Sequence, residues 1–305
     1  MSTILITGAT GLVGSYIAKM YLQKNYTVHY LTTSKNKLKN TDNFKGFYWD
    51  VKNNVIDKEA FTNVESIVHL AGATIAKLWT SSYKKEIIQS RIQSSELLYN
   101  TLKEIKHSVK NIVCASAIGI YKSSLSNKYD ENSREFADTF LAEVVKKWEK
   151  ATHKFNEINI TTAQVRIGLV LSDNGGALVP LLKSSKFRIG TIFGNGNQYQ
   201  SWIHIHDLTQ IFITIQQNKL AGIFNAVSPN VVNQKEMVKA ISHATNNKTL
   251  NFFVPKFFVK LVLGEMHILL FESQYVVSKN LIEIKDFSFK YNTIQKALAS
   301  FLVIK

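Results

Sequence analysis

The chain has 305 residues, 45% of them hydrophobic, enough to bury a sizeable core, which excludes a disordered chain as the default reading. Its one cysteine, Cys114, excludes an internal disulfide and accords with a reducing compartment. The net charge of +15 raises a nucleic-acid interface, but only four of 37 basic residues are the arginines suited to bidentate reading (Arg91, Arg134, Arg166, Arg188), so a solvated lysine-rich surface is expected and no nucleic-acid partner.

A buried-strand run at residues 3–7 meets Gly8, and an apolar helical pattern continues to about Lys24. Further strands are predicted at 27–31, around 47–49 and at 66–70. The stripe Tyr83, Ile87, Ile88, Ile92, Leu97, Leu98, Leu102 and Ile105 then marks one face of a long helix. A fifth strand at 111–115, a helix bearing Leu141, Val144, Val145, Trp148 and Phe155, and a sixth strand at 162–167 follow. Strands separated by helices in this way predict βαβ units: an α/β fold, doubly wound around a mostly parallel sheet.

Beyond Leu171 the texture changes. Asn174-Gly175-Gly176 and Gly194-Asn195-Gly196-Asn197 are loop signals, helical texture returns at 206–217, a strand at 223–225, and helices after Asn233. The predicted division is a Rossmann-type domain of residues 1–170, rejoined by 203–227, and a smaller substrate lobe built from 171–202 and 228–305. No basic n-region or small-residue cleavage site precedes Ile4. The greasiest stretch, 252–271, is broken by Pro255, Lys256, Lys260, Gly264 and Glu265, short of the roughly 18 uninterrupted apolar residues of a membrane span. A soluble, cytoplasmic protein without a membrane partner is expected.

Thr7-Gly8-Ala9-Thr10-Gly11-Leu12-Val13-Gly14 lies between a predicted strand and a predicted helix. Its three glycines suit the tight turn, the close approach of a pyrophosphate, and close helix–strand packing, with the phosphates on the free N–H groups of the helix N-terminus. The end of the second strand carries Thr32, Thr33, Ser34 and Lys35 and no carboxylate to hold ribose hydroxyls. NADP(H) is therefore the expected cofactor and NAD(H) the alternative.

These motifs, with Leu70-Ala71-Gly72, Ser116 followed by Tyr121, Ser90-Arg91, Trp148-Glu149, the run from Val165 to Leu171, and Ser201-Trp202-Ile203-His204-Ile205, resemble the extended short-chain dehydrogenase/reductase superfamily. More narrowly, the chain resembles its atypical branch of epimerase-family or cell-division-inhibitor-like proteins, over nearly its whole length; nothing in the residues gives the second label a physical basis. The resemblance implies that Gly8, Thr10, Gly11, Leu12 and Val13 cradle the pyrophosphate, that Leu70 and Ala71 line the nucleotide, and that Glu86 and Arg91 meet the cofactor. Departures are His69 where the branch has Asn, Ala73 where it has Glu, His206 in its Ile-His-Ile-Asp-Asp motif, Tyr275 where it has Arg, and the missing arginine after Thr32.

Ordinary members of the superfamily use a Tyr-x-x-x-Lys pair on the helix after the fifth strand. The register set by Glu149 places Leu141 and Val145 there instead, and the pairs Tyr48/Lys52, Tyr99/Lys103 and Tyr275/Lys279 do not follow the serine-bearing strand. The remaining catalytic candidates are Ser116, which suits polarising a carbonyl, and Tyr121, an acid if its pKa is depressed. Their structural readings are strand closure and packing at the cleft mouth. Gln198, Ser201, Trp202 and His204 are the substrate-side candidates, His204 as acid or base or as a hydrogen-bonded tie. His204 and His206 lack a third ligand, so no metal is expected. The sequence thus points to an NADP(H)-binding oxidoreductase or epimerase-like protein acting on a small molecule, monomeric or homodimeric, with a non-catalytic NADP(H)-binding sensor or scaffold as its rival.

Overall fold

The computed structural model describes residues 2–285 and 287–302. Its centre is a sheet of seven parallel strands: β1 (Thr3–Thr7), β2 (Thr27–Thr32), β3 (Phe44–Asp50), β4 (Val64–His69), β5 (Asn111–Ala117), β6 (Thr161–Ile167) and, later in the chain, β10 (Gly222–Ala226). Two short antiparallel strands, Asn40–Thr41 and Val55–Ile56, flank β3. In space the order is β10-β6-β5-β4-β1-β2-β3. The chain reverses its direction of travel between β1 and β4, and a doubly wound sheet binds ligands at the carboxyl ends of strands on either side of such a reversal.

Alternation of side chains along β1 sorts the two layers. Ile4 and Ile6 pack with Ile17 and Tyr21 of α1 (Leu12–Gln23) and with Leu208, Ile211 and Phe212 of α5 (Ile205–Gln217). Leu5 faces the other way, with Leu97, Leu98 and Leu102 of α2 (Ser81–Glu104). The next helix, α3 (Phe140–His153), packs beside α2. A sheet covered on both faces needs no polar face, which is why all five residues of β1 are buried.

After β6 the chain leaves the sheet at Gly168. A Cβ there would lie 2.3 Å from the Ser201 carbonyl oxygen, so only glycine lets the two segments pass. Strand β7 (Leu169–Ser172) then pairs in parallel with β9 (Trp202–His204) in a separate small sheet. Of residues 203–227, then, only Gly222–Ala226 joins the large sheet, while α5 covers its face. Beyond it lie α4 (Leu178–Lys186), β8 (Ile189–Phe193), α6 (Gln234–Ala244), β11 (Leu250–Val254), which pairs with β8, and α7 (Lys256–Leu263). The apolar stretch 252–271 is thus split between a strand and short helices, and no helix among the described residues is long and apolar enough to cross a membrane. The terminal helix α8 (Ile294–Leu302) returns to the main core through Ile294, Leu298 and Phe301.

Replacing Gly168 with Ala should lower stability by about 1–3 kcal/mol, the usual cost of overpacking a close contact. Urea denaturation followed by circular dichroism measures it, and an unchanged midpoint would show that the two segments have room to part.

Candidate functional site

The first cavity opens at the reversal between β1 and β4. It measures about 580 Å³ and is lined by Gly8 and Thr10, by Thr32 and Thr33 at the end of β2, by Ala71 and Gly72 after β4, and by Glu86 on α2. Gly8 has φ +72°, and a Cβ on it would press against the Leu70 backbone at 3.1 Å. Gly14 permits no side chain at all, since a Cβ would sit 2.2 Å from the Gly8 carbonyl oxygen; this is the close packing of helix on strand that the motif requires. Gly11 is the N-cap of α1, and no side chain caps the helix. The first N–H groups of α1, from Leu12, Val13 and Gly14, lack intrahelical acceptors by geometry and carry the positive end of the helix dipole. Bare glycine backbone, an uncapped helix start and an adjoining cavity fit a dinucleotide diphosphate.

Thr7 and His69 hold this turn together. Thr7 Oγ1 accepts hydrogen bonds from the N–H groups of Leu70 (3.0 Å) and Ala71 (3.1 Å), so its own proton goes to His69 Nδ1 at 2.8 Å. His69 Nε2 then carries a proton and donates to Ser95 Oγ (3.0 Å), which donates to the Arg91 carbonyl oxygen (2.8 Å). This directed chain defines a neutral imidazole, and burial lowers the His69 pKa to about 3. His69, a departure from the branch's asparagine, therefore clamps the loop after β4 to α2.

At the end of β2, Thr32 and Thr33 reach the cavity, whereas Ser34 turns to Asn36 and Lys35 sits over the Tyr48 ring, 5.1 Å from its centroid. Tyr48, Asp50, Val51 and Lys52, around the end of β3, also line the cavity. Sequence reasoning missed them because a strand predicted only around 47–49 left its carboxyl end undefined.

The second cavity, of about 340 Å³, lies beside the first, past Arg91. Ser116 lines it at the end of β5, with Ile118, Leu141, Val145 and Trp148 on the α3 side, Gly168 and Ser201 at the point where β6 leaves the sheet, and Glu272 from the C-terminal segment. The two positions that the register assigned to a tyrosine and a lysine, Leu141 and Val145, both face this space. Ser116 Oγ donates to Glu149 Oε1 at 2.6 Å. Glu149 in turn grips Arg166 in a bidentate pair, Nε to Oε1 and Nη2 to Oε2, both 2.8 Å.

Arg91 bridges the two cavities. Gly72 lines the first, and a Cβ on it would meet the Arg91 side chain at 3.1 Å. The guanidinium stacks on Trp148, Cζ 4.9 Å from the ring centroid, and Nη1 donates to the carbonyl oxygens of Ala73 (3.1 Å) and Ile87 (2.9 Å). Nε is buried without an acceptor, and no carboxylate pairs with Arg91 among the described residues. Burial lowers its pKa to about 10.

Four expected site residues are placed elsewhere. Tyr121 is fully buried: its hydroxyl meets Arg166 Nη1 (2.9 Å), Asn225 Oδ1 (2.9 Å) and the Asp130 carbonyl oxygen (3.0 Å), and burial raises its pKa, the reverse of what an acid near neutrality needs. This placement supports its structural reading. His204 is the N-cap of α5, stacked against Tyr291 and Phe301 and bonded to Ser300, and burial lowers its pKa to about 4. Trp202 is buried with its indole N–H on the Asn230 carbonyl, and Gln198 spends its amide on Phe193, Gln234 and Leu270. None of the four lines the second cavity; Ser201 does, although its hydroxyl is engaged with Gln274. Among the described residues no group of three His, Cys, Asp or Glu is arranged to hold a metal ion.

Glu272 escaped the sequence reading, since a lone glutamate before Ser273-Gln274 carries no motif. It lines the second cavity, and burial, opposed by the charge of Lys256, raises its pKa to about 7.

A parallel sheet in this order, with a glycine cradle at its reversal point and a serine-edged second cavity, defines a nucleotide-binding protein of the extended short-chain dehydrogenase/reductase type. Residues 4–140 match the NAD dependent epimerase/dehydratase family and residues 254–301 match a domain of unknown function, DUF1731. An epimerase family protein of Staphylococcus epidermidis is 33% identical over 299 residues, covering 98% of both chains, and one of Staphylococcus saprophyticus is 32% identical over 303 residues, again covering 98% of each. The chain belongs to this epimerase family, as an atypical member of the extended superfamily. The crystal structure of a human epimerase family protein with NADPH superposes with a TM-score of 0.85 at 23% identity, over 99% of this chain and 100% of that one. A UDP-N-acetylglucosamine 4-epimerase from Bacillus cereus has a TM-score of 0.78 at 19% identity, over 100% and 96%.

The raised pKa of Glu272 sets a pH dependence of stability. The unfolded carboxyl ionises near 4.5 and the folded one near 7, so the folded state holds the extra proton between them and loses stability as pH rises through that window. A Glu272→Gln variant should therefore match the wild type below pH 4.5 and exceed it increasingly up to pH 7, as read from melting temperatures across a pH series. A difference independent of pH would sink the assignment.

Proposed function

We propose that this chain binds NADP(H), with NAD(H) as the weaker alternative, and uses it as an oxidoreductase or epimerase-like enzyme on a small molecule in the second cavity. The observation that carries the reading is the adjacency of the two cavities: Gly72, lining the first, packs on Arg91, which lines the second. A dinucleotide laid over Gly8, Thr10 and Gly11 against Leu12, Val13 and Gly14 has its adenosine end at Thr32, Thr33, Leu70, Ala71 and Gly72, near Ser34, Lys35 and Glu86. Its other end reaches Ser116 past Arg91. When bound, the cofactor supplies hydride chemistry; the protein's part is to orient it and exclude water. Lys52 on the cavity wall and Lys35 over Tyr48 are the cations available to a 2′-phosphate, as point charges in place of a bidentate arginine.

The rival reading, a non-catalytic NADP(H)-binding sensor or scaffold, is favoured by one observation: Leu141 and Val145 occupy the cavity wall where a tyrosine and a lysine would work. Steady consumption of NADPH with a panel of carbonyl compounds separates the two. The protein is taken to act in the cytoplasm, as a monomer or homodimer, without nucleic acid or membrane.

Calorimetric titration tests the nucleotide site. NADPH should bind at least tenfold more tightly than NADH, a difference of about 1.4 kcal/mol, and Lys52→Ala with Lys35→Ala should erase that margin. Gly11→Asp should abolish binding without unfolding the chain. Gly11 has an ordinary φ of −84° and room for a Cβ apart from a 3.3 Å contact with the Gly8 carbonyl, but the carboxylate would occupy the helix start needed by the diphosphate. Equal binding of the two dinucleotides would remove the NADP assignment, and binding by Gly11→Asp would remove the site.

A further inference from the structure

The second cavity is apolar to a degree that bears on what enters it. Ile75, Ile118, Leu141, Val145, Ile268 and Leu269 contribute aliphatic wall, and three of the polar side chains among them are already committed. Ser116 donates to Glu149, Ser201 to the Gln274 carbonyl, and Gln274 Nε2 to the Tyr121 carbonyl at 2.7 Å. A sugar ring laid against this aliphatic wall would bury hydroxyls without partners there, at about 1–3 kcal/mol each. Arg91 Nε and Trp148 Nε1 are donors without an acceptor, and Glu272 is the uncommitted carboxyl. Its carboxyl lines the cavity and accepts no hydrogen bond from any described residue, so it stands available to whatever enters.

Resting on the functional reading above, we propose that this cavity takes a carbonyl compound with an apolar body rather than a nucleotide sugar, and that Glu272 exchanges the proton of the reacting oxygen. Reduction places a hydride from NADPH on the carbonyl carbon and oxidises the dinucleotide to NADP+. The π electron pair moves to oxygen, which takes the proton of Glu272 and leaves a carboxylate; the reverse sequence oxidises the alcohol. Ser116, its proton engaged by Glu149, lines the same cavity and presents only an acceptor oxygen to it. The charged group acting on Glu272 is Lys256 of α7, whose charge opposes burial; Arg91 of α2 lines the same cavity, and α3 contributes the uncharged side chains of Leu141, Val144, Val145 and Trp148. A carboxyl poised near neutrality is suited to giving and taking a proton at working pH.

The test has two arms on the protein without cofactor and one with it. First, 2-naphthaldehyde and UDP-glucose are titrated against the purified chain by calorimetry. The aldehyde should bind, Leu141→Lys should weaken it at least tenfold, and UDP-glucose should show no heat of binding. Binding of UDP-glucose in place of the aldehyde overturns the substrate class. Second, carbon NMR of glutamate-labelled protein, with Glu272→Gln to identify the resonance, should show a midpoint near pH 7; a midpoint near 4.5, the ordinary glutamate value, overturns the proton role. Third, NADPH-dependent reduction of the aldehyde should fall about tenfold per pH unit above 7. Glu272→Gln should lower kcat about a hundredfold or more with NADPH affinity unchanged, while Glu283→Gln, at an exposed carboxyl outside both cavities, leaves it within twofold. The opposite ranking of the two variants overturns the assignment to Glu272. The first two arms need no dinucleotide, so a failure of NADPH binding is distinguishable from a failure of this proposal.

Discussion

The carboxyl end of the sheet depends on one buried ion pair. Arg166 is 1% exposed, and its guanidinium meets Glu149 through two hydrogen bonds of 2.8 Å. Burial works against the charge, but Glu149 and the Tyr121 hydroxyl more than offset it and raise the guanidinium's pKa above its ordinary value. The pair spans elements distant in sequence. Glu149 belongs to α3 and Arg166 to β6, Ser116 closes β5, and Tyr121 carries the connection onward to Asn225 of β10. Glu131 extends the arrangement by accepting from the backbone N–H groups of Asn225 (2.9 Å) and Lys279 (3.0 Å). Removing one partner from such a pair leaves a buried charge uncompensated, typically at 3–5 kcal/mol, so the network fixes the strand ends rather than adding stability over an apolar equivalent.

This constraint explains the chemistry left at the cavity. Ser116 is positioned by a carboxylate already neutralised by an arginine, so Glu149 serves as an anchor. Tyr121, the obvious phenol after the serine-bearing strand, is spent on the same network. The groups best suited by residue type to acid–base work thus have structural partners here. A histidine in the same position as His69 would ordinarily attract a catalytic reading, yet the proton bookkeeping of Thr7 forces it neutral and links it to Ser95.

The architecture was legible because its signals are local and repeated. Apolar strand runs alternated with helical stripes, and the glycine positions carried steric demands that the geometry bears out at Gly8 and Gly14. The apolar wall at Leu141 and Val145 was also readable, since helix register follows from counting. What escaped were contacts that no spacing encodes. His204 and Trp202 looked chemical because they sit in a recognisable run, but their fate depended on Tyr291, Phe301 and Asn230, which lie far along the chain. Glu272 was invisible for the converse reason: its environment is assembled from α2, α3 and the C-terminal segment, and a pKa raised by burial leaves no mark in sequence.

The C-terminal region follows from the same argument. Residues 254–301 match a domain of unknown function, yet Ile268, Leu269, Glu272 and Gln274 from it complete the cavity that β5 and α3 begin. Its attachment is specific: Gln274 reaches the Tyr121 carbonyl, the Gln274 carbonyl accepts from Ser201, and Tyr275–Val276 pairs in parallel with Lys128–Tyr129. The first and last of these ties land on segments held by the Arg166–Glu149 network, at Tyr121 and at Tyr129, which stacks on Tyr121. A helix that supplies leucine and valine where a tyrosine and a lysine could have stood offers no acid or base on that wall. The segment that closes this cavity carries Glu272, a half-buried carboxyl held near neutrality by its surroundings.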